Sequence, residues 1–185
     1  MTTFLVLLGI GLLVLSYPAL RAAVEVSLRY RGTRVITCPE TRQPAAVEVD
    51  SRLAARTASL SRPFLRLTQC SRWPERQDCG QDCLRQIEEA PEDCLARTML
   101  INWYEGTACV LCRKAIEPIH WADHKPALMT PRRKTLEWNE VPPEKLPATL
   151  ATHLPVCWNC HIAESFRARF PDLVLDDPRP FRRAS

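Results

Sequence analysis

Two Cys-x-x-Cys pairs, Cys109-Val-Leu-Cys112 and Cys157-Trp-Asn-Cys160, constrain this chain more than any other feature. Two thiol pairs at this spacing can close a tetrahedral thiolate site around one zinc ion, and a segment closed in that way needs little hydrophobic core of its own. His120, His124 and His153 lie between the pairs, and His161 directly follows the second. The reading is one structural zinc shared by Cys109, Cys112, Cys157 and Cys160.

Composition points the same way. The 185 residues include 9 Cys and 16 Pro but only 5 Gly, and the 46% hydrophobic content is densest before Arg21. What remains is polar and suited to small cores reinforced by cross-links. An odd number of cysteines leaves one thiol over in a disulfide framework, and two four-cysteine metal sites also leave one, so parity does not choose between them. The net charge of +4 is mild and spread over patches such as Arg132-Arg133-Lys134. That favours a solvated surface over a nucleic-acid footprint.

Residues 1 to 20 carry no charged side chain. As a helix they would reach about 30 Å, the thickness of a bilayer's hydrocarbon core. A transmembrane anchor over 1–23, with membrane lipid as its partner, is the expectation. A cleaved signal peptide competes, but it would want a basic residue before the apolar run. Arg21, Arg29, Arg31 and Arg34 follow the run. The positive-inside rule then gives a single-pass protein of an inner or cytoplasmic membrane with its body in the cytoplasm.

The remaining chain divides into a juxtamembrane segment and β-hairpin region over 24–69, a Cys-rich helical segment over 70–106, the two-pair finger over 107–171 and a flexible tail over 172–185. The runs Arg34–Thr37 and Ala46–Asp50 flank a Pro-bounded turn at Cys38 and predict a hairpin; Phe64–Thr68 adds a third strand after a Ser/Arg-rich connection. Cys79 and Cys83 share a face if 81–89 is helical. With Cys38 and Cys70 they form a candidate second zinc site, Cys94 being the rival fourth ligand. Pro91-Glu-Asp and Gly106 bound a helix over 91–105. Lys114–Asp123 reads as a strand or hairpin, and the Pro-rich stretch from Met129 to Leu154 as a linker.

A knuckle at the first pair, a hairpin, and a second pair opening the helical run His161–Phe170 resemble the treble-clef zinc fingers. Within that class the motifs Cys109/Cys112, Asp123-His124-Lys-Pro126 and Cys157/Cys160/His161 resemble the HNH endonucleases that carry a zinc-binding pair of knuckles. The resemblance implies His124 as general base on water, and Asp123 and His161 as ligands of a catalytic divalent ion. Cys157-Trp-Asn-Cys160-His161 also matches the attachment signature of c-type haem, and either pair has the spacing of a thiol redox site.

The sequence thus predicts an α+β protein: a transmembrane helix, a small hairpin region, central helices and a treble-clef-like finger. Its expected function is a membrane-tethered, zinc-binding interaction module with a protein partner. An HNH-like nuclease is the first alternative, and a c-type haem or thiol redox protein the second. Binding is favoured over catalysis.

Overall fold

The computed structural model describes residues 2–58, 62–73, 75, 78–122, 125 and 127–173, with backbone only at residues 2–9, 12 and 13. The chain forms two compact units: Met1–Asn102 with Pro142–Ala148, and Trp103–Val141 with Thr149–Ser185.

The first unit opens on α1, Thr2–Tyr30, which packs on α2, Ser51–Ala58. No helix among the described residues is long and apolar enough to cross a membrane. The apolar stretch of α1 ends at Leu20. Beyond it the last turns carry Arg21, Glu25 and Arg29, and a span needs about 30 Å. This overturns the transmembrane anchor predicted over 1–23, and with it the single-pass placement in an inner or cytoplasmic membrane.

Gly32, at φ +100°, turns the chain out of α1. β1, Arg34–Thr37, pairs antiparallel with β2, Pro44–Val49, and β2 pairs with β3, Leu67–Cys70, through an irregularity at Glu48/Val49. The third strand lies a few residues beyond the predicted run, and the predicted connection before it contains a helix. Asp50 caps α2, its Oδ1 accepting the Leu53 N–H at 2.9 Å, while its own N–H donates to Arg66 O at 2.8 Å. Ile36, Val47 and Leu67 from the sheet, Ala54 from α2 and Ile87 from α3, Leu84–Glu89, make the core.

Arg34, which the sequence offers as one of the basic residues that follow the apolar run, is fully buried. Its guanidinium donates to the carbonyls of Tyr30 (2.9 Å), Gly32 (3.0 Å), Arg29 and Pro91 (3.2 Å). It therefore satisfies carbonyls that the end of α1 would leave without partners. The backbone of β1 also meets the turn at 91–94, Val35 N–H donating to Cys94 O at 2.7 Å. The turn Pro143–Lys145 contacts β1 and β2.

In the second unit β4, Ala127–Met129, lies between β5, Thr135–Glu137, and β6, Leu154–Val156, both antiparallel to it. The predicted linker thus contributes a strand, and α5, Leu146–Thr152, follows it. Lys114–Asp123 forms no regular strand among its described residues; one bridge joins Ala108 to Ala115. α4, Ala96–Tyr104, starts later than predicted, and α6, Trp158–Arg169, follows the second cysteine pair.

Candidate metal centre

The first pair sits in a tight turn. Cys109 N–H donates to Lys114 O at 2.9 Å, and Arg113 N–H to Cys109 O at 2.9 Å. Closing so short a loop forces Arg113 to φ +64°. The amides of Leu111 and Cys112 then point back at the Cys109 sulfur. Val110 N–H donates to Pro155 O at 3.0 Å and ties the turn to β6. β6 in turn delivers Cys157 to the N-cap of α6, with Cys160 in the first helical turn. Local turn chemistry presents one pair, and strand plus helix start presents the other.

The four sulfurs lie within 4.8 Å of one another. Cys112 Sγ is 3.8 Å from Cys157 Sγ, and all four cysteines are free thiols. A tetrahedron with Zn–S bonds of about 2.3 Å has edges of about 3.8 Å, whereas a disulfide needs about 2 Å. The donor set therefore fits a tetrahedral, thiolate-preferring divalent ion.

The thiols differ in acidity. Burial pushes the Cys109 thiol up, but the amides of Cys112, Cys157 and Leu111 outweigh it and hold it near about 6. Burial raises Cys157, opposed by the Cys160 amide. Cys160 is raised by burial and then by the thiols of Cys157, Cys112 and Cys109. The pocket favours the Cys109 thiolate even without a cation; a divalent ion would offset the repulsion among further thiolates. The N-terminal end of α6 favours the anions at Cys157 and Cys160.

The centre doubles as the core of its unit: Cys109 is wholly buried against Ala127, Met129 and Val156, with Cys157 and Cys160 packed on them. Tyr104, buried, donates its hydroxyl to Ala127 O and anchors the start of the turn on β4. Burial, then Cys109, raises its pKa.

His161 is buried one residue beyond Cys160, its Nε2 3.9 Å from Glu137 Oε1 and its Nδ1 without a hydrogen-bond partner. Lys125 Nζ lies 3.4 Å from Glu137 Oε2. A cleft of about 360 Å³ beside the centre is lined by Tyr104, Lys114, His120, Lys125 and Trp158 among others. Asp123 and His124, the other two residues of the nuclease alternative, lie outside the described residues. Glu137 and Tyr104 went unassigned in the sequence reading, because one lay in an apparent linker and the other in an ordinary helix pattern.

Cys38, Cys70, Cys79 and Cys83 border one small cavity of about 30 Å³ in the first unit. Among the described residues, only the four cysteines of the second unit bring their ligand atoms within 4.8 Å of each other. Cys94 is placed elsewhere, its Sγ 3.6 Å from Pro91 O.

No family model, curated protein or solved structure matches this chain.

Proposed function

We propose that the second unit is a treble-clef-like zinc finger whose ion is structural, and that it acts as a binding module for another protein. The observation that carries this reading is the convergence of Cys109, Cys112, Cys157 and Cys160 within 4.8 Å. Four thiolates leave no open position on a tetrahedral ion, which suits a structural role better than a catalytic one. The surrounding core is small, so the ion's binding energy serves as folding energy. On α6 and its C-cap, Ile162, Phe166 and Phe170 repeat at four-residue spacing and stay 41–49% exposed, which supports the binding half of the reading.

Metal analysis of the full chain purified under reducing conditions tests it: at least one equivalent of zinc is expected, together with protection of these four thiols from alkylation. Less than a tenth of an equivalent of any metal would refute it. Cys109→Ser is expected to weaken zinc binding beyond the about 10–100-fold cost of losing an outer-shell contact.

The hydrolytic alternative draws on the buried, unpartnered His161 Nδ1. It predicts divalent-ion-dependent plasmid cleavage that His161→Ala abolishes; intact plasmid across magnesium, manganese and zinc removes it.

A further inference from the structure

The turn at Cys38 repeats the turn at Cys109, bond for bond. Cys38 N–H donates to Gln43 O at 2.9 Å, as Cys109 does to Lys114 O at 2.9 Å. Arg42 N–H returns to Cys38 O at 2.8 Å, as Arg113 does to Cys109 O at 2.9 Å. Arg42 stands at φ +55° and Arg113 at +64°. In each turn the amides two and three residues on point at the cysteine sulfur: Glu40 and Thr41 here, Leu111 and Cys112 there. The difference that matters for a metal is that Thr41 takes the place of Cys112, so this turn offers a single thiol.

The missing thiols come from elsewhere. Cys70 ends β3, where Ser71 N–H donates to Ala46 O at 2.8 Å. Gln81 Oε1 accepts the Leu67 N–H at 3.0 Å and holds the 79–83 loop against β3. Gln86 bonds both backbone groups of Thr37, at 3.1 and 2.7 Å, which sets α3 beside the residue preceding Cys38. As a result Cys38, Cys70, Cys79 and Cys83 line one cavity of about 30 Å³, enough for one small ion and too small for an organic ligand.

A second observation points at a ligand. Two buried side-chain nitrogens among the described residues lack a hydrogen-bond partner: His161 Nδ1 and Arg72 Nε. The first adjoins the centre already described. The second, on Arg72, lines the same cavity as the four thiols, and the Thr41 side chain meets the Cys38 sulfur within its turn. Buried donors without acceptors are rare in proteins. A thiolate in the cavity would supply the acceptor for Arg72 Nε, the rest of that guanidinium being held by Gln43 Oε1 and, at 3.4 Å, by Glu75 Oε2.

We infer that Cys38, Cys70, Cys79 and Cys83 form a second thiolate site for a zinc-like divalent ion, built on a copy of the turn that carries Cys109. Binding releases the thiol protons to solvent and draws the four sulfurs onto the ion. With eight cysteines so engaged, Cys94 is the remaining thiol.

The test is anaerobic titration of the reduced, metal-free full chain with zinc, followed by alkylation and peptide mass analysis. Two equivalents are expected, with eight thiols protected and Cys94 modified. Cys79→Ser should lower the count to one equivalent, and Cys94→Ser should leave it at two. One equivalent that protects only Cys109, Cys112, Cys157 and Cys160 overturns the second site and leaves the finger intact. One equivalent that protects only the first-unit cysteines supports the second site and refutes the finger. A disulfide joining any two of the four in the freshly isolated chain, or a Cys94→Ser chain that binds one ion, also overturns the inference.

Discussion

Arg42 and Arg113 occupy equivalent positions in two turns, each at positive φ and each donating its N–H to the carbonyl of the cysteine four residues earlier. A left-handed backbone costs an L-residue about 1–2 kcal/mol, and glycine gives back part of that through its freer unfolded chain. Arg42→Gly and Arg113→Gly are each expected to stabilise by about 0.5–1 kcal/mol, and Arg42→Val and Arg113→Val to destabilise by about 1–2 kcal/mol, in urea unfolding of the zinc-loaded chain. If one turn gains from glycine and the other loses, the two are not equivalent.

The acidity of Cys109 sets a pH window for the metal-free chain. Its folded pKa of about 6 lies below the ordinary 9.0. The thiolate's contribution to stability is therefore complete above about pH 9, declines as pH falls and is gone below about 6. Chelated, reduced protein should lose stability along that slope, and Cys109→Ser should flatten it. Denaturant midpoints at half-unit pH steps measure it. Zinc should be released on acidification, as protons compete for the raised thiols of Cys157 and Cys160.

Gln86 offers a way to loosen the first unit's cysteine cavity without touching a thiol. Gln86→Ala removes two hydrogen bonds to Thr37 and is expected to cost about 1 kcal/mol, the bonds being exposed. The larger effect should fall on zinc affinity at the second site, an about 10–100-fold loss read by competition with a chromophoric chelator.

Arg34→Ala strips partners from buried carbonyls at the end of α1 and at Pro91. The expected loss is about 3–5 kcal/mol, because these groups stay buried and lose their donor. Lysine, with one ammonium in place of a fork, should recover less than half. Thermal unfolding of the three proteins gives the comparison.

What the sequence revealed was mostly local. The two pairs, the turn at Cys109, the hairpin around Cys38 and the helix after Cys160 are each encoded within a few residues, and they sit where expected. α2 was hidden because its composition, Ser-Arg-Leu-Ala-Ala-Arg-Thr-Ala, reads as a polar connection until Asp50 is seen to cap it. Thr135–Asn139 was legible as a strand-like spot, but its place in a sheet was not, because three residues make a strand only beside β4. The role of Arg34 was not legible either, because only the fold brings carbonyls around it. The apolar run before Arg21 read as a membrane anchor, a reading the described helix does not sustain. The likeness between Thr41 and Cys112 was invisible because hydrogen bonding, not residue identity, carries it.

The first unit is completed by Pro142–Ala148, a segment synthesised after Cys109, Cys112 and the whole of β4 and β5. Leu146, almost fully buried, is among the last pieces to reach it. The second unit waits longer still, for Cys157 and Cys160. On the ribosome, then, neither unit can close behind the other in the usual order of emergence. The cysteines of the first unit, and Cys109 and Cys112, therefore emerge before the segments that complete their units and meet the cell's metal and redox chemistry ahead of them.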